Sequence, residues 1–206
     1  MIMKLIRRLN KKKSHNGFPF RTLGKVNLIE KHGGQIEVHE TTLLNSSQHG
    51  YHVGMPFETT LIADAPGAVI RIGEGCRIHG TYIHAWDQVL IGRKVLIAAG
   101  TNIVDSNGHS ANARYARFRP HFRDSPKAIT IGDFVWIGMN CIIMKGVEIG
   151  ECAIVSAGSV VTESVPAFSI VAGNPAKVVR TLDPAEALPE DYPLSRLASE
   201  EDFYTY

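Results

Sequence analysis

Residues 131–166 read IGDFVW, IGMNCI, IMKGVE, IGECAI, VSAGSV and VTESVP, consecutive hexads that each open on Ile or Val. The opening residues are Ile131, Ile137, Ile143, Ile149, Val155 and Val161, and four places after each stands a compact residue: Val135, Cys141, Val147, Ala153, Ser159 and Val165. A period of six matches neither an α-helix nor an isolated strand, whose side chains repeat at about 3.6 and 2 residues. It matches a triangular coil with one flat wall per hexad, the signature of a parallel β-helix. Stacked coils lie about 4.8 Å apart, so like positions fall on one another and build aliphatic ladders along a narrow prism. Gly132, Gly138 and Gly150, each directly after a ladder residue, suit corners where a Cβ would crowd the backbone.

Working upstream, the same phase holds at Ile72 and Ile78, then at Ile91, Ile97 and Ile103. Ile78 and Ile91 are 13 residues apart, one more than two hexads, which predicts a bulge or wider corner near Trp86–Val89. Ile103 and Ile131 are 28 apart, four more than a multiple of six, so a segment leaves the prism and returns. The predicted organisation is a basic arm at 1–20, irregular β structure at 21–65 forming first coils or a cap, and a solenoid at 66–182. A loop at 106–128 is extruded from the solenoid, and an acidic tail occupies 183–206. A solenoid needs its open end covered, because its last coil otherwise exposes apolar side chains and unpaired strand edges.

The 206 residues carry 44% hydrophobic and 20% charged side chains and a net charge of +2, ordinary values for one domain with a real core. No run of 18 apolar residues suggests a membrane-spanning helix, and the basic start lacks the apolar stretch of a secretory signal. Lys4, Arg7, Arg8, Lys11, Lys12 and Lys13 suit either a solvated terminus or a peripheral contact of residues 1–13 with an anionic membrane. Basic residues do not recur with interleaved aromatics along the body, so nucleic acid is not an expected partner. Cys76 and Cys141 fill compact slots and no CxxC pair occurs, which fits a reducing cytoplasm and argues against a zinc knuckle.

Val-Trp136-Ile-Gly, the hexads after it, Gly-Ser-Val-Val-Thr162 and Val-Ala-Gly-Asn174-Pro-Ala-Lys177-Val-Val-Arg180 resemble the hexapeptide-repeat acyltransferases. Asn107-Gly108-His109 narrows the resemblance to the branch of maltose, galactoside and nodulation-factor O-acetyltransferases. It covers roughly residues 66–182 and implies an all-β fold, a left-handed parallel β-helix. It also implies a homotrimer with acetyl-CoA in grooves between neighbouring prisms. Left-handedness comes from the resemblance alone, since the six-residue period is silent on hand.

The chemistry implied is transfer of an acetyl group from acetyl-CoA to a hydroxyl of a sugar or polysaccharide precursor. An alcohol is a poor nucleophile at neutral pH, and an imidazole is the side chain suited to take its proton. By resemblance that base is His109, although Ser110 replaces the proline usual after it. Asp105, just before the loop, is positioned either to orient His109 or to cap the turn. Acceptor contacts are expected at His79, Trp86, Asp87 and Asp105, an aromatic beside a carboxylate being suited to a sugar. The resemblance maps the donor onto Met139, Ala157, Thr162, Lys177 and Arg180, the two cations pairing with its phosphates. Glu163 stands where the family commonly has Lys. Arg114, Tyr115, Arg117, Phe118, Arg119, His121 and Arg123 make the loop a basic aromatic patch suited to the coenzyme of a neighbouring subunit or to an anionic acceptor.

Two alternatives remain open. One is N-acetylation of an amino sugar or antibiotic on the same fold. The other is a zinc-dependent carbonic anhydrase-like β-helix, because His79 and His84 have the five-residue spacing of two of its three ligands. No metal is expected on the main reading.

Overall fold

A computed structural model describes residues 17–190 of the chain. The expectations for residues 1–16, including membrane contact through 1–13, and for the acidic tail beyond Glu190 lie outside the described residues. Among the described residues no helix is long and apolar enough to cross a membrane.

The described residues wind through nineteen short strands. The first coils hold β1 (Arg21–Leu23), β2 (Asn27–Lys31), β3 (Gln35–Val38), β4 (Leu43–Asn45), β5 (Thr60–Asp64) and β6 (Val69–Ile72). Next come β7 (Arg77–His79), β8 (Tyr82–Ala85), β9 (Gln88–Ile91), β10 (Leu96–Ile97) and β11 (Asn102–Val104). After the extruded loop follow β12 (Ile129–Ile131), β13 (Trp136–Ile137), β14 (Ile142–Ile143), β15 (Glu148–Ile149), β16 (Ile154–Val155) and β17 (Val160–Val161). A hairpin of β18 (Ser169–Gly173) and β19 (Ala176–Thr181) closes the prism.

Every third strand shares a wall. The first wall has the order β1-β4-β7-β10-β13-β16-β18-β19, the second β17-β14-β11-β8-β5-β2, and the third β15-β12-β9-β6-β3. Pairing is parallel throughout, except in the closing hairpin. In the regular coils, partners are three hexads apart: Ile131 on Ile149, Ile137 on Val155 and Ile143 on Val161. All six ladder residues from Ile131 to Val161 are at most 2% exposed, and the compact series from Val135 to Val165 is buried with them.

Two kinds of corner make the turns. At Gly138 and Gly150 an added Cβ would lie 2.6 Å and 2.3 Å from the backbone nitrogens of Ala157 and Ala167 on the next coil, so close approach demands glycine. Three residues after most ladder residues the backbone is left-handed, and this position is not reserved for glycine: Lys94, Phe134, Asn140 and Cys152 hold it with φ between 53° and 59°. The left-handed conformation costs an L-residue about 1–2 kcal/mol. Arg93 and Lys94 stack over the Phe134 ring on the next coil and offset part of that cost.

Residues 21–64 are coils of the prism. β1 to β5 pair in parallel with β4 to β8 and extend all three walls. Their sequence phase is weak because residues 46–59 leave the prism between β4 and β5 as a further excursion. The predicted irregularity near Trp86 is a wider corner, a bend at Trp86 and Asp87 that bulges out between β8 and β9. The predicted loop departs after β11 and rejoins at β12, and partners across it are 40 residues apart (Ile103 on Ile143), against 18 for Ile143 on Val161. It holds a 3₁₀ segment, Ala113–His121, whose first turn is capped by the Asn112 side chain accepting from the Arg114 amide at 2.9 Å.

Candidate active site

Thr162, Asp105 and Trp86 follow the ends of β17, β11 and β8 on the second wall, whereas His79 on β7 and Lys177 and Arg180 on β19 belong to the first. The outer face of the second wall runs from β17, next to Thr162, through β14 and β11 to β8, which projects Tyr82 and His84 outward and leads into Trp86. The loop carrying His109 leaves from the end of β11, so the candidate base departs between the donor end and the acceptor end of one sheet. Neighbouring strands are about 4.8 Å apart, which places two strand spacings between β11 and β17.

Asp105 organises the departure point. It is fully buried, and its carboxylate accepts from the Trp86 amide at 2.9 Å and the Asp87 amide at 2.7 Å. Its backbone carbonyl accepts from Lys127 N at 2.9 Å, which closes the neck of the loop. Burial pushes the Asp105 carboxyl above the usual carboxylate range, and the two amides oppose that rise. The expectation that Asp105 contacts an acceptor is therefore corrected. It caps the bulge and ties the loop to it.

The neck is locked again on the return limb. Asp124 accepts from the Asn107 amide and pairs with Lys145, whose ammonium also donates to Ser125 O at 3.1 Å. Lys145 holds the Asp124 carboxyl below its ordinary value. Ser110 N donates to Phe122 O at 2.9 Å, so the outgoing limb with His109 lies against the limb carrying Arg123. The Arg123 guanidinium sits 4.9 Å from the centre of the Trp86 ring. His109 itself is exposed, and its ring has no hydrogen-bonding partner among the described residues. An uncommitted imidazole on a braced loop is available to an incoming hydroxyl.

The acceptor expectation for His79 is also corrected. The 46–59 excursion covers this residue, which is 3% exposed, stacks on Tyr51 with ring centres 4.5 Å apart, and shares a 3.1 Å hydrogen bond with the Asn45 side chain. Burial, helped by Arg77 and His52, lowers its pKa to about 4, so it is a neutral packing group. His84 has a different setting on the outer face, with Nε2 3.6 Å from Asp64 and the ring edge-on to Trp86 at 5.7 Å. The five-apart histidines thus belong to different walls and do not converge. Trp86 and Asp87 are half-buried beside the loop neck, and the Trp86 Nε1 is buried without a partner among the described residues.

Below Tyr82 on the same face a shallow cavity of about 480 Å³ is lined by Asn27, Phe57, Glu58, Thr60, Tyr82 and Asn102. The sequence reading missed this cavity, because Phe57 and Glu58 arrive from the 46–59 excursion.

The donor candidates are all exposed. Met139 and Ala157 occupy matching corners of successive coils, where Gly158 N donates to Met139 O at 2.8 Å. Thr162 follows β17 and precedes Glu163, and the Glu163 carboxylate is 2.9 Å from Lys177 Nζ. The departure from the usual Lys thus supplies an internal partner for Lys177. Among the described residues Arg180 has no carboxylate partner. Leu96 on β10 and its partner Trp136 on β13 leave an exposed apolar pair on the outer face of the first wall.

The bacterial transferase hexapeptide family (six repeats) matches residues 128–163. A lipopolysaccharide biosynthesis O-acetyl transferase homologue by name, WbbJ of Escherichia coli K12, is 36% identical over 106 residues, 48% of this chain and 54% of that protein. The acetyl-CoA complex of a hexapeptide-repeat acetyltransferase from Vibrio cholerae is 35% identical with a TM-score of 0.51, covering 55% of this chain and 61% of that one. A galactoside acetyltransferase in complex with coenzyme A is 32% identical with a TM-score of 0.51, covering 55% and 56%. The chain spans less than two thirds of the length of the curated relatives it matches. With these likenesses the fold is the left-handed parallel β-helix that the resemblance implied.

Proposed function

We propose that this chain, whose residues 128–163 match the bacterial transferase hexapeptide family, is an acetyl-CoA-dependent O-acetyltransferase acting on a sugar or polysaccharide precursor. The observation that carries the reading is the single outer face with Thr162 toward one end, Tyr82 and Trp86 toward the other, and the His109 loop leaving between them. The names of the Escherichia coli and galactoside relatives and the acetyl-CoA complex support it.

In this reading the acceptor hydroxyl meets His109, and a neutral imidazole nitrogen takes its proton as the oxygen attacks the thioester carbonyl. The tetrahedral intermediate collapses, the C–S bond breaks, the acetyl ester forms, and the proton passes from the imidazolium to the departing CoA thiolate. Such a base contributes typically about 10²–10⁴-fold. Backbone amides along the Met139 and Ala157 corners suit the pantetheine arm and the developing oxyanion. Arg180, and Lys177 once released from Glu163, suit the phosphates. The exposed apolar pair of Leu96 and Trp136 suits a second copy of the chain, as in a homotrimer. Cytoplasmic placement follows from the same reading, because acetyl-CoA is an intracellular donor.

Thiol release from acetyl-CoA, followed with a panel of hydroxyl and amine sugars, tests the proposal. Turnover with hydroxyl acceptors supports it. Turnover confined to amines replaces it with N-acetylation, and silence with every acceptor, together with no acetyl-CoA binding, refutes it.

A further inference from the structure

From His109 to Arg123 the extruded loop carries Arg114, Arg117, Arg119 and Arg123 and two histidines, with no Asp or Glu. All four arginines are exposed, and among the described residues none is within ion-pair distance of a carboxylate. The loop's one carboxylate beyond Arg123, Asp124, is already committed to Lys145. Uncompensated guanidinium groups held together repel one another and are retained in solution at some cost to the fold. They form a ready site for a multiply charged anion.

One contact with the prism gives the loop its direction: the Arg123 guanidinium lies over Trp86, just past the end of β8, and the Ser110–Phe122 hydrogen bond sets His109 against the same limb. Trp86 belongs to the β8 half of the second wall, away from Thr162, so Arg123 stands at the acceptor half, with Arg114, Arg117 and Arg119 on the segment that leads to it. That half also offers flat apolar rings and polar groups: Tyr82 and Trp86 on one line, with Asn27, Thr60 and Asn102 in the cavity beside it, where the Glu58 carboxylate is already paired with Lys25. From Tyr82 to Trp86 the strand rise gives about 13 Å, longer than one sugar ring. Rings for the apolar faces of sugars, amides for their hydroxyls and guanidinium groups for carboxylate or phosphate substituents together describe one ligand class.

We infer that the acceptor is an anionic oligo- or polysaccharide, seated along Tyr82–Trp86 with its charges on the loop arginines. This rests on the acetyltransferase reading for the word acceptor, but the binding itself is separately measurable. The test is affinity electrophoresis of the full chain in gels containing polygalacturonate or uncharged dextran, at low and high salt. Polygalacturonate should retard the protein and dextran should not, and high salt should relieve the retardation. Arg114→Gln/Arg117→Gln/Arg119→Gln should weaken polygalacturonate binding about tenfold or more while leaving acetyl-CoA affinity unchanged. Tyr82→Ala should weaken it with the salt dependence intact.

Equal retardation by the two polymers overturns the inference, and so does full binding by the triple variant. Loss of acetyl-CoA affinity in that variant reassigns the loop to the donor. Tighter binding of poly(U) than of polygalacturonate replaces the glycan with a nucleic acid. Failure of the acetyltransferase reading would register elsewhere, as wild-type protein that binds polygalacturonate but neither binds acetyl-CoA nor releases thiol.

Discussion

The two ends of the prism are built to different rules. From β12 to β17 the strands are two or three residues long, each wall takes one hexad, and each ladder position is a buried aliphatic. From β1 to β11 strands run to five residues, residues 46–59 leave the spiral, and buried threonines replace compact apolar residues at several corners. Thr42 Oγ1 donates to Gly73 O at 2.7 Å and Thr101 Oγ1 to Gly138 O at 3.1 Å, so a hydroxyl satisfied by the next coil does the work of a Val or Cys further along. The regular end supplies the scaffold and the candidate donor line. The irregular end, free of the strict period, carries the rings, amides and extra segment that suit selection of an acceptor.

Substitutions that treat the two ends differently test that contrast, and the largest effect is expected in the ladder. Ile143→Asp leaves an unpaired buried carboxylate, which costs several kcal/mol, and should abolish folding. Ile36→Asp, in the half-buried first coils, should leave a folded, β-rich protein by circular dichroism. Equal outcomes would erase the distinction.

Asp105→Ala strands two buried amides at the junction of the ends. It should lower stability by about 2–4 kcal/mol in denaturant melts and slow turnover through displacement of the His109 loop. A variant of unchanged stability would show that the Trp86 bulge does not need its cap.

His79 gives the irregular end its own acid sensitivity. With its folded pKa lowered to about 4 from an ordinary 6.5, the unfolded chain takes up the proton first as pH falls. The contribution is therefore complete above pH 6.5 and is lost between 6.5 and about 4, a total of about 3 kcal/mol. His79→Gln should flatten stability against pH over that window; an unchanged slope would move the sensitivity elsewhere.

The smallest expected effects separate the two corner types of the regular end. Gly138→Ala drives a Cβ to 2.6 Å from Ala157 N, whereas at Gly158 the space is open and only its positive φ of 73° opposes a side chain. The second change should cost about 1 kcal/mol and the first clearly more.

The same contrast explains what the sequence disclosed. The six-residue period, the bulge near Trp86 and the loop after Ile103 are all departures from or adherence to one ladder, so counting residues finds them. The left-handed corner position is harder to read, because Lys94, Phe134 and Cys152 hold it without the glycine that would mark it. The 46–59 excursion was hidden because the ladder has no strict phase around it, and with it went the burial of His79 and the cavity beside Tyr82. Asp105 stood open between two roles until its distances to the Trp86 and Asp87 amides decided for the cap. The placement of Arg123 over Trp86 joins residues far apart in sequence and leaves no local pattern.

The central claim is that an imidazole on the extruded loop acts between a donor and an acceptor held by one wall. Its most direct test measures acetyl-CoA affinity and thiol release on the same preparation of His109→Ala, with the best acceptor from the panel. The account predicts affinity within about twofold of wild type and turnover lower by about 100-fold or more. A variant that turns over normally, or that loses acetyl-CoA binding in step with activity, contradicts it.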